Sequence, residues 1–136
     1  MTGAGYSDTP LARKLGLTPG MKAWLSDMPG SVRDELAGPI AALDQAQGPV
    51  PGLDFAHLFV TERTALEALL TVLRPTIAPT GMIWVSWPKK ASKRPTDITE
   101  DVIRAVALPI GLVDVKVCAV DAIWSGLKLM IRRELR

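Results

Sequence analysis

The sequence is poor in the residue types that most often carry chemistry. Its 136 residues include one cysteine, one histidine, one tyrosine and two phenylalanines. A single cysteine excludes an internal disulfide and a cysteine-rich zinc site, and one histidine leaves no cluster for a dedicated metal centre. Long hydrophobic runs are missing too. The longest nearly apolar stretch, Ala105 to Val113, is about half a bilayer span and carries Pro109 and Gly111, so no membrane helix is expected. No charged-then-apolar leader opens the sequence, which makes a cytoplasmic location the expectation. There is no Walker-type phosphate loop, no nucleophile-elbow serine and no histidine-rich metal spacing.

What is present suits one ordered core. Hydrophobic residues make up 48% and charged residues 22%, and this length accommodates one domain. Met1 to Asp8 is small and polar and reads as a mobile tail, leaving 9–136 as a single α/β domain. The formal net charge of +2 hides an asymmetry: from Lys89 onward there are ten basic and six acidic residues, and before it six basic and eight acidic. The excess sits in Lys89, Lys90, Lys93 and Arg94, and in Lys128, Arg132, Arg133 and Arg136. Such patches attract phosphate or a nucleic-acid backbone, although a solvated surface is the commoner reading. A pI of 8.9, without stacking aromatics among the charges, is low for a dedicated nucleic-acid binder.

Helix and strand signals alternate along the chain. Thr9-Pro10 and Gly16 bracket a short helix around Leu11 to Leu15, and Met21 to Ser26 reads as a strand. Ser31-x-x-Asp34 is an approximate capping box for a helix that Gly38-Pro39 ends or kinks. A degraded strand is expected near Leu43 to Ala46, followed by a loop. Leu53 to Val60 is a near-continuous apolar run, as in a strand covered on both faces. Thr61 caps the next predicted helix, whose Leu66, Leu69, Leu70 and Leu73 recur at the helical period until Arg74-Pro75. Gly81 to Trp87 reads as another buried strand, and Pro88 to Thr96 as a basic loop. Asp97-x-x-Glu100 predicts a capping box for the helix carrying Val102, Ile103, Val106 and Ala107. Leu112 to Asp121 and Leu127 to Arg133 read as strands joined by too few residues for a crossover, hence an antiparallel hairpin. The fold expected is a small three-layer Rossmann-like α/β domain with a mainly parallel sheet and a C-terminal antiparallel hairpin.

Ligands of open parallel sheets bind outside the carboxyl ends of the strands. That edge should carry Ser26 and Asp27, Thr61 to Arg63, Trp87 to Lys90, and the hairpin tip Asp121 to Ser125. A concave anion site with Lys89, Lys90, Ser92 and Asp121 around Trp87 and Trp124 is the candidate, with Ser125 beside it. Each residue also has a plainer reading: Thr61 and Asp97 as caps, Trp24 and Trp84 as core, Trp124 as anchor of its turn. His57 sits inside an apolar strand and reads as a satisfied core histidine, and Cys118 as an inert thiol. Asp27, Glu62 and Asp121 are the carboxylates available for acid–base work at that edge.

Two resemblances extend this reading. Leu73-Arg74-Pro75 through Ala78-Pro79-Thr80-Gly81-Met82-Ile83-Trp84, with the closing hairpin across Trp124-Ser125-Gly126, is similar to the late part of a class I S-adenosylmethionine-dependent methyltransferase. This covers about the last 85 residues and is topological. It implies S-adenosylmethionine as a possible cofactor, with Asp44 as the candidate acid for its ribose. The chain departs from the family after its first strand, where Ser26-Asp27-Met28-Pro29-Gly30 replaces a glycine-rich loop. Lys14-Leu15-Gly16 with Pro19-Gly20, Ile83-Trp84 with Pro88-Lys89, Asp97-Ile98-Thr99-Glu100, and Asp121 with Trp124-Ser125-Gly126 resemble a bacterial domain-of-unknown-function family (DUF 3052). That resemblance implies roles for Lys89, Asp121, Trp124 and Ser125. The leading functional expectation is a binding module for an anionic small molecule or a partner protein. A methyltransferase-like enzyme and a nucleic-acid-associated protein using residues 89–94 are the alternatives.

Overall fold

Two apolar strands, Leu53–Phe59 (β3) and Ile77–Pro88 (β4), are buried on both faces along most of their length, and that places them at the centre of a sheet. The computed structural model describes residues 10–136, so the expected N-terminal tail lies outside the described residues. Lys22–Ser26 (β1), Asp44–Ala46 (β2), Leu112–Ala119 (β5) and Trp124–Ile131 (β6) complete six strands in the order β2-β1-β3-β4-β6-β5. The first four are mutually parallel, and β6 runs antiparallel to both β4 and β5. The fold is thus the expected Rossmann-like mixed sheet, parallel except for its C-terminal antiparallel pair. No helix among the described residues is long and apolar enough to cross a membrane.

Helices cover the two faces unequally. Leu11–Leu15 (α1), Gly30–Glu35 (α2) and Ala37–Ala41 (α3) lie on one face, burying Leu15, Val32, Leu36 and Ile40 against Phe55, Phe59, Trp84 and Trp124. Arg63–Leu73 (α4) and Glu100–Ala107 (α5) lie on the other, burying Leu66, Leu70, Leu73 and Ile103 against Ile83, Val85, Leu127 and Leu129. On the first face Trp84 is fully buried, and its Nε1 donates to the Leu15 carbonyl at 2.8 Å. Gly126 makes room for the indole, since a Cβ there would lie 3.2 Å from the ring. Gly16 ends α1 in the left-handed conformation at φ 80°, as its position predicted.

The ends of elements depart from the sequence expectations. Pro29 stands at the N-cap of α2 and Ser31 lies inside it, so the Ser31-x-x-Asp34 box does not form. The break between α2 and α3 falls at Leu36, before Gly38-Pro39. Thr61 does not cap α4; its carbonyl accepts from Thr96 Oγ1, and Glu62 takes the N-cap position without a side-chain bond. Asp97 caps that helix instead, its carboxylate accepting from Arg63 N at 2.7 Å. Thr99 caps α5 by accepting from Val102 N. β4 starts four residues earlier than expected and β6 three residues earlier, so Trp124 and Ser125 belong to the strand rather than the turn.

Replacing Trp84 by Phe leaves the Leu15 carbonyl unpaired in the core and opens a small void. We expect a loss of about 2–4 kcal/mol in urea unfolding. A loss below about 0.5 kcal/mol would show that α1 is held by other contacts.

Candidate functional site at the carboxyl edge of the sheet

The strand order turns round between β1 and β3: the chain steps from β1 outward to β2, and from β3 the other way to β4. The carboxyl edge there carries Ser26 at the end of β1 with Asp27 after it, and Val60 and Thr61 after β3. Lys89 follows β4, and because β6 is antiparallel its start at Trp124 lies at the same edge, with Pro88 opposite Trp124 in the ladder. The Lys89 backbone N–H donates to the Ile123 carbonyl at 2.7 Å, tying the basic loop to the hairpin turn.

The expected site residues share this edge but do not surround one cavity. Trp87 is buried with the α4–α5 core and Trp124 with the α1–α3 core, so the two indoles lie on opposite faces of the sheet. Trp124 packs edge-on against Phe59 with ring centroids 5.1 Å apart. The Asp121 carboxylate accepts from both Ile123 N and Trp124 N at 2.8 Å, which closes the turn between β5 and β6. Ser92 Oγ donates to the Lys89 carbonyl at 2.6 Å. Ser125 sits within β6 opposite Trp87.

The cavity at this edge is an open-sided groove of about 580 Å³ between the basic loop and the start of α5. Trp87, Pro88 and Ile98 give it an apolar floor. Lys90, Lys93 and Arg94 form one wall, and Thr96, Thr99, Glu100, Asp101 and Arg104 the other. Only Trp87 and Lys90 of the expected site residues line it. Lys93 and Arg94 were legible as a charge cluster, whereas the α5 wall was hidden behind the capping motif that Asp97 and Glu100 suggested. Arg104 is fully engaged: Nε, Nη1 and Nη2 meet Asp114, Asp101 and Glu100 at 2.8, 3.2 and 3.0 Å. Hydrogen bonding to Asp114 holds the guanidinium above its ordinary pKa and the Asp114 carboxyl below its own. The pairs are partly solvated, so they orient the side chains more than they stabilise the fold. Their consequence for the groove is that Arg104 shares the negative charge of Glu100 and Asp101. No ion pair among the described residues involves Lys90, Lys93 or Arg94.

His57 and Cys118, both in the sheet, also have displaced pKa values. His57 is 0% exposed on β3, its ring stacked on Phe59 at 4.4 Å, with Nε2 hydrogen-bonded to the buried Ser86 Oγ at 2.8 Å. Its Nδ1 has no partner among the described residues, so the core histidine is only half satisfied there. Burial pushes its pKa down to about 3, which keeps the ring neutral, and it has no route to a substrate. Cys118 is half-buried on β5, and burial raises its pKa, partly offset by Lys116 and Lys14. It therefore rests as the thiol, which is the unreactive form. No cluster of His, Cys, Asp or Glu among the described residues could hold a metal ion.

No family model and no curated protein matches this sequence. Solved structures do match its fold. A S-adenosylmethionine-dependent methyltransferase from Aquifex aeolicus superposes with a TM-score of 0.60 at 16% identity, over 89% of this chain and 87% of that one. Aeropyrum pernix fibrillarin with natively bound S-adenosyl-L-methionine gives 0.55 at 11% identity, over 88% and 73%. LepI in complex with S-adenosylmethionine gives 0.56 at 14% identity over 90% of this chain, which spans only 39% of LepI. At these identities the likeness is one of fold, that of S-adenosylmethionine-dependent methyltransferases.

The residues of this chain do not fit that cofactor. The turn after β1 has a single glycine, Gly30, and Pro29 offers no N–H. Asp44, the candidate acid for the ribose, pairs with Lys22 at the beginning of β1, so it lies at the amino edge, away from the crevice.

The buried histidine sets a pH dependence. Its folded pKa of about 3 lies below its ordinary 6.5, so the unfolded chain binds the proton first as pH falls. This stabilisation is complete above pH 6.5 and is lost toward pH 3, by up to about 1.4 kcal/mol per pH unit. Urea unfolding between pH 7 and 4 should show that slope, and His57→Gln should remove it. An unchanged slope would assign the loss to carboxylates.

Proposed function

We propose that the protein is a non-catalytic binding module that holds a phosphate-bearing small molecule in the groove beside β4, with Trp87 beneath it and Lys90, Lys93 and Arg94 against its charge. The observation that carries this is the combination of an apolar floor with three cations that form no ion pair among the described residues. A volume of about 580 Å³ lies within the range of small-molecule sites. The fully buried His57 and the turn-forming Asp121 are both committed to the fold and are not offered to a ligand at this edge. Membership of the bacterial DUF 3052 family, on the segments the two share, is part of the same proposal. The second reading is a methyltransferase-like enzyme, favoured by the fold it has in common with cofactor-bound structures.

Titration of the full chain with inorganic pyrophosphate, followed by tryptophan fluorescence, tests the module. Saturable binding is expected, weakened at least about tenfold when Lys90, Lys93 and Arg94 are all changed to Ala. Equal binding by the triple variant would refute the groove. If only a single-stranded oligonucleotide binds, with affinity falling steeply with salt, the basic loop serves nucleic acid instead.

A further inference from the structure

We infer that the turn after β1 is a built-in stopper: Met28 and Pro29 close the crevice between the carboxyl ends of β1 and β3, and the chain works without S-adenosylmethionine. In a sheet of this strand order, connections leave on opposite faces where the order turns round, and a crevice opens there to ligands. Here α2 leaves β1 on one face and α4 leaves β3 on the other, so the two part at that point.

In this chain the opening is filled from within. Asp27 adopts the left-handed conformation at φ 56°, one of only two non-glycine residues among those described to do so. Met28 follows it and is 7% exposed, buried in one cluster with Leu25, Phe59, Val120 and Trp124. Those residues come from the same edge: Leu25 near the end of β1, Phe59 at the end of β3, Val120 just past β5, and Trp124 at the start of β6. An unbranched thioether adapts its shape to such an irregular gap. Pro29 then fixes the entry to α2 and withholds a donor that a ligand would need. On the far side of β1, β2 ends at Ala46 without an acid, since Asp44 stands at its beginning. A ligand entering here would have to displace Met28 from its cluster, and would find no acid at the end of β2 to receive it.

The inference goes beyond the proposed groove and stands or falls separately. Calorimetric titration of the full chain with S-adenosylmethionine, and with S-adenosylhomocysteine, should give no saturable heat at millimolar ligand and no rise in melting temperature. A dissociation constant below about 0.1 mM for either would overturn it. The stopper itself is tested by Met28→Ala, which should melt several degrees below the unmodified chain, and by Met28→Leu, which should keep most of that stability. Melting of Met28→Ala within about one degree of the unmodified chain would show that the side chain fills nothing. Pyrophosphate binding measured on the same samples should be unaffected by Met28→Leu, which separates this outcome from that of the groove.

Discussion

The arrangement depends on one buried indole. Trp84 lies on the central strand β4, under the face whose helices are only five or six residues long. Helices of that length have little stability of their own and persist only through what they bury. Trp84 supplies a large apolar surface, and it supplies a donor where one is needed, because the carbonyls in the last turn of α1 have no helical partners. The bond to Leu15 satisfies one of them. Gly16 can then turn the chain back, and Gly126 on β6 leaves the ring its space. Contacts from α1, β4 and β6 meet at this one side chain.

The opposite face is organised by side chains that reach between elements rather than by short helices. Asp97 caps α4 from the far end of the basic loop, and Thr96 bonds to the Thr61 carbonyl beside it. At the near end, the Lys89 N–H is held by the Ile123 carbonyl. The loop is therefore pinned at both ends, with Lys90 to Arg94 presented between the pins. Arg104 fixes the facing wall by joining α5 to β5 through Asp114. A groove built this way has fixed margins and cations not committed to an ion pair among the described residues, which suits a ligand recognised by charge more than by shape.

The centre of the sheet was legible because its strands are buried on both faces, which writes an unbroken apolar run into the sequence. The ends were not, because capping is decided by which backbone groups come near a polar side chain. Asp97 reads as the cap of the helix that follows it, yet it serves a helix thirty-four residues earlier in the chain. The two tryptophans show a second limit. Whether Trp87 and Trp124 share a face depends on the register between β4 and β6, and here Pro88, not Trp87, lies opposite Trp124. One residue of register moves a side chain to the other face of a sheet. Asp44 illustrates a related limit: β2 is only three residues long and begins with it, so the acid falls at the amino edge.

The charge excess of the last third carries information only once the cations are sorted by what they hold. Lys116 donates to the Lys14 carbonyl at the end of α1, and Arg136 to the Ile131 carbonyl at the end of β6. Arg74, from the earlier part of the chain, does the same for the Ile110 carbonyl. Arg104 is enclosed by three carboxylates. These side chains finish helix and strand ends or tie elements together. Lys90, Lys93 and Arg94 hold no carboxylate and no carbonyl through their side chains among the described residues. Lys93 also takes a left-handed backbone at φ 60° to turn the loop. Strained backbone at a functional edge is a recurring association. Three cations whose side chains hold no partner among the described residues, beside an apolar floor, are what distinguish this edge from an ordinary basic surface.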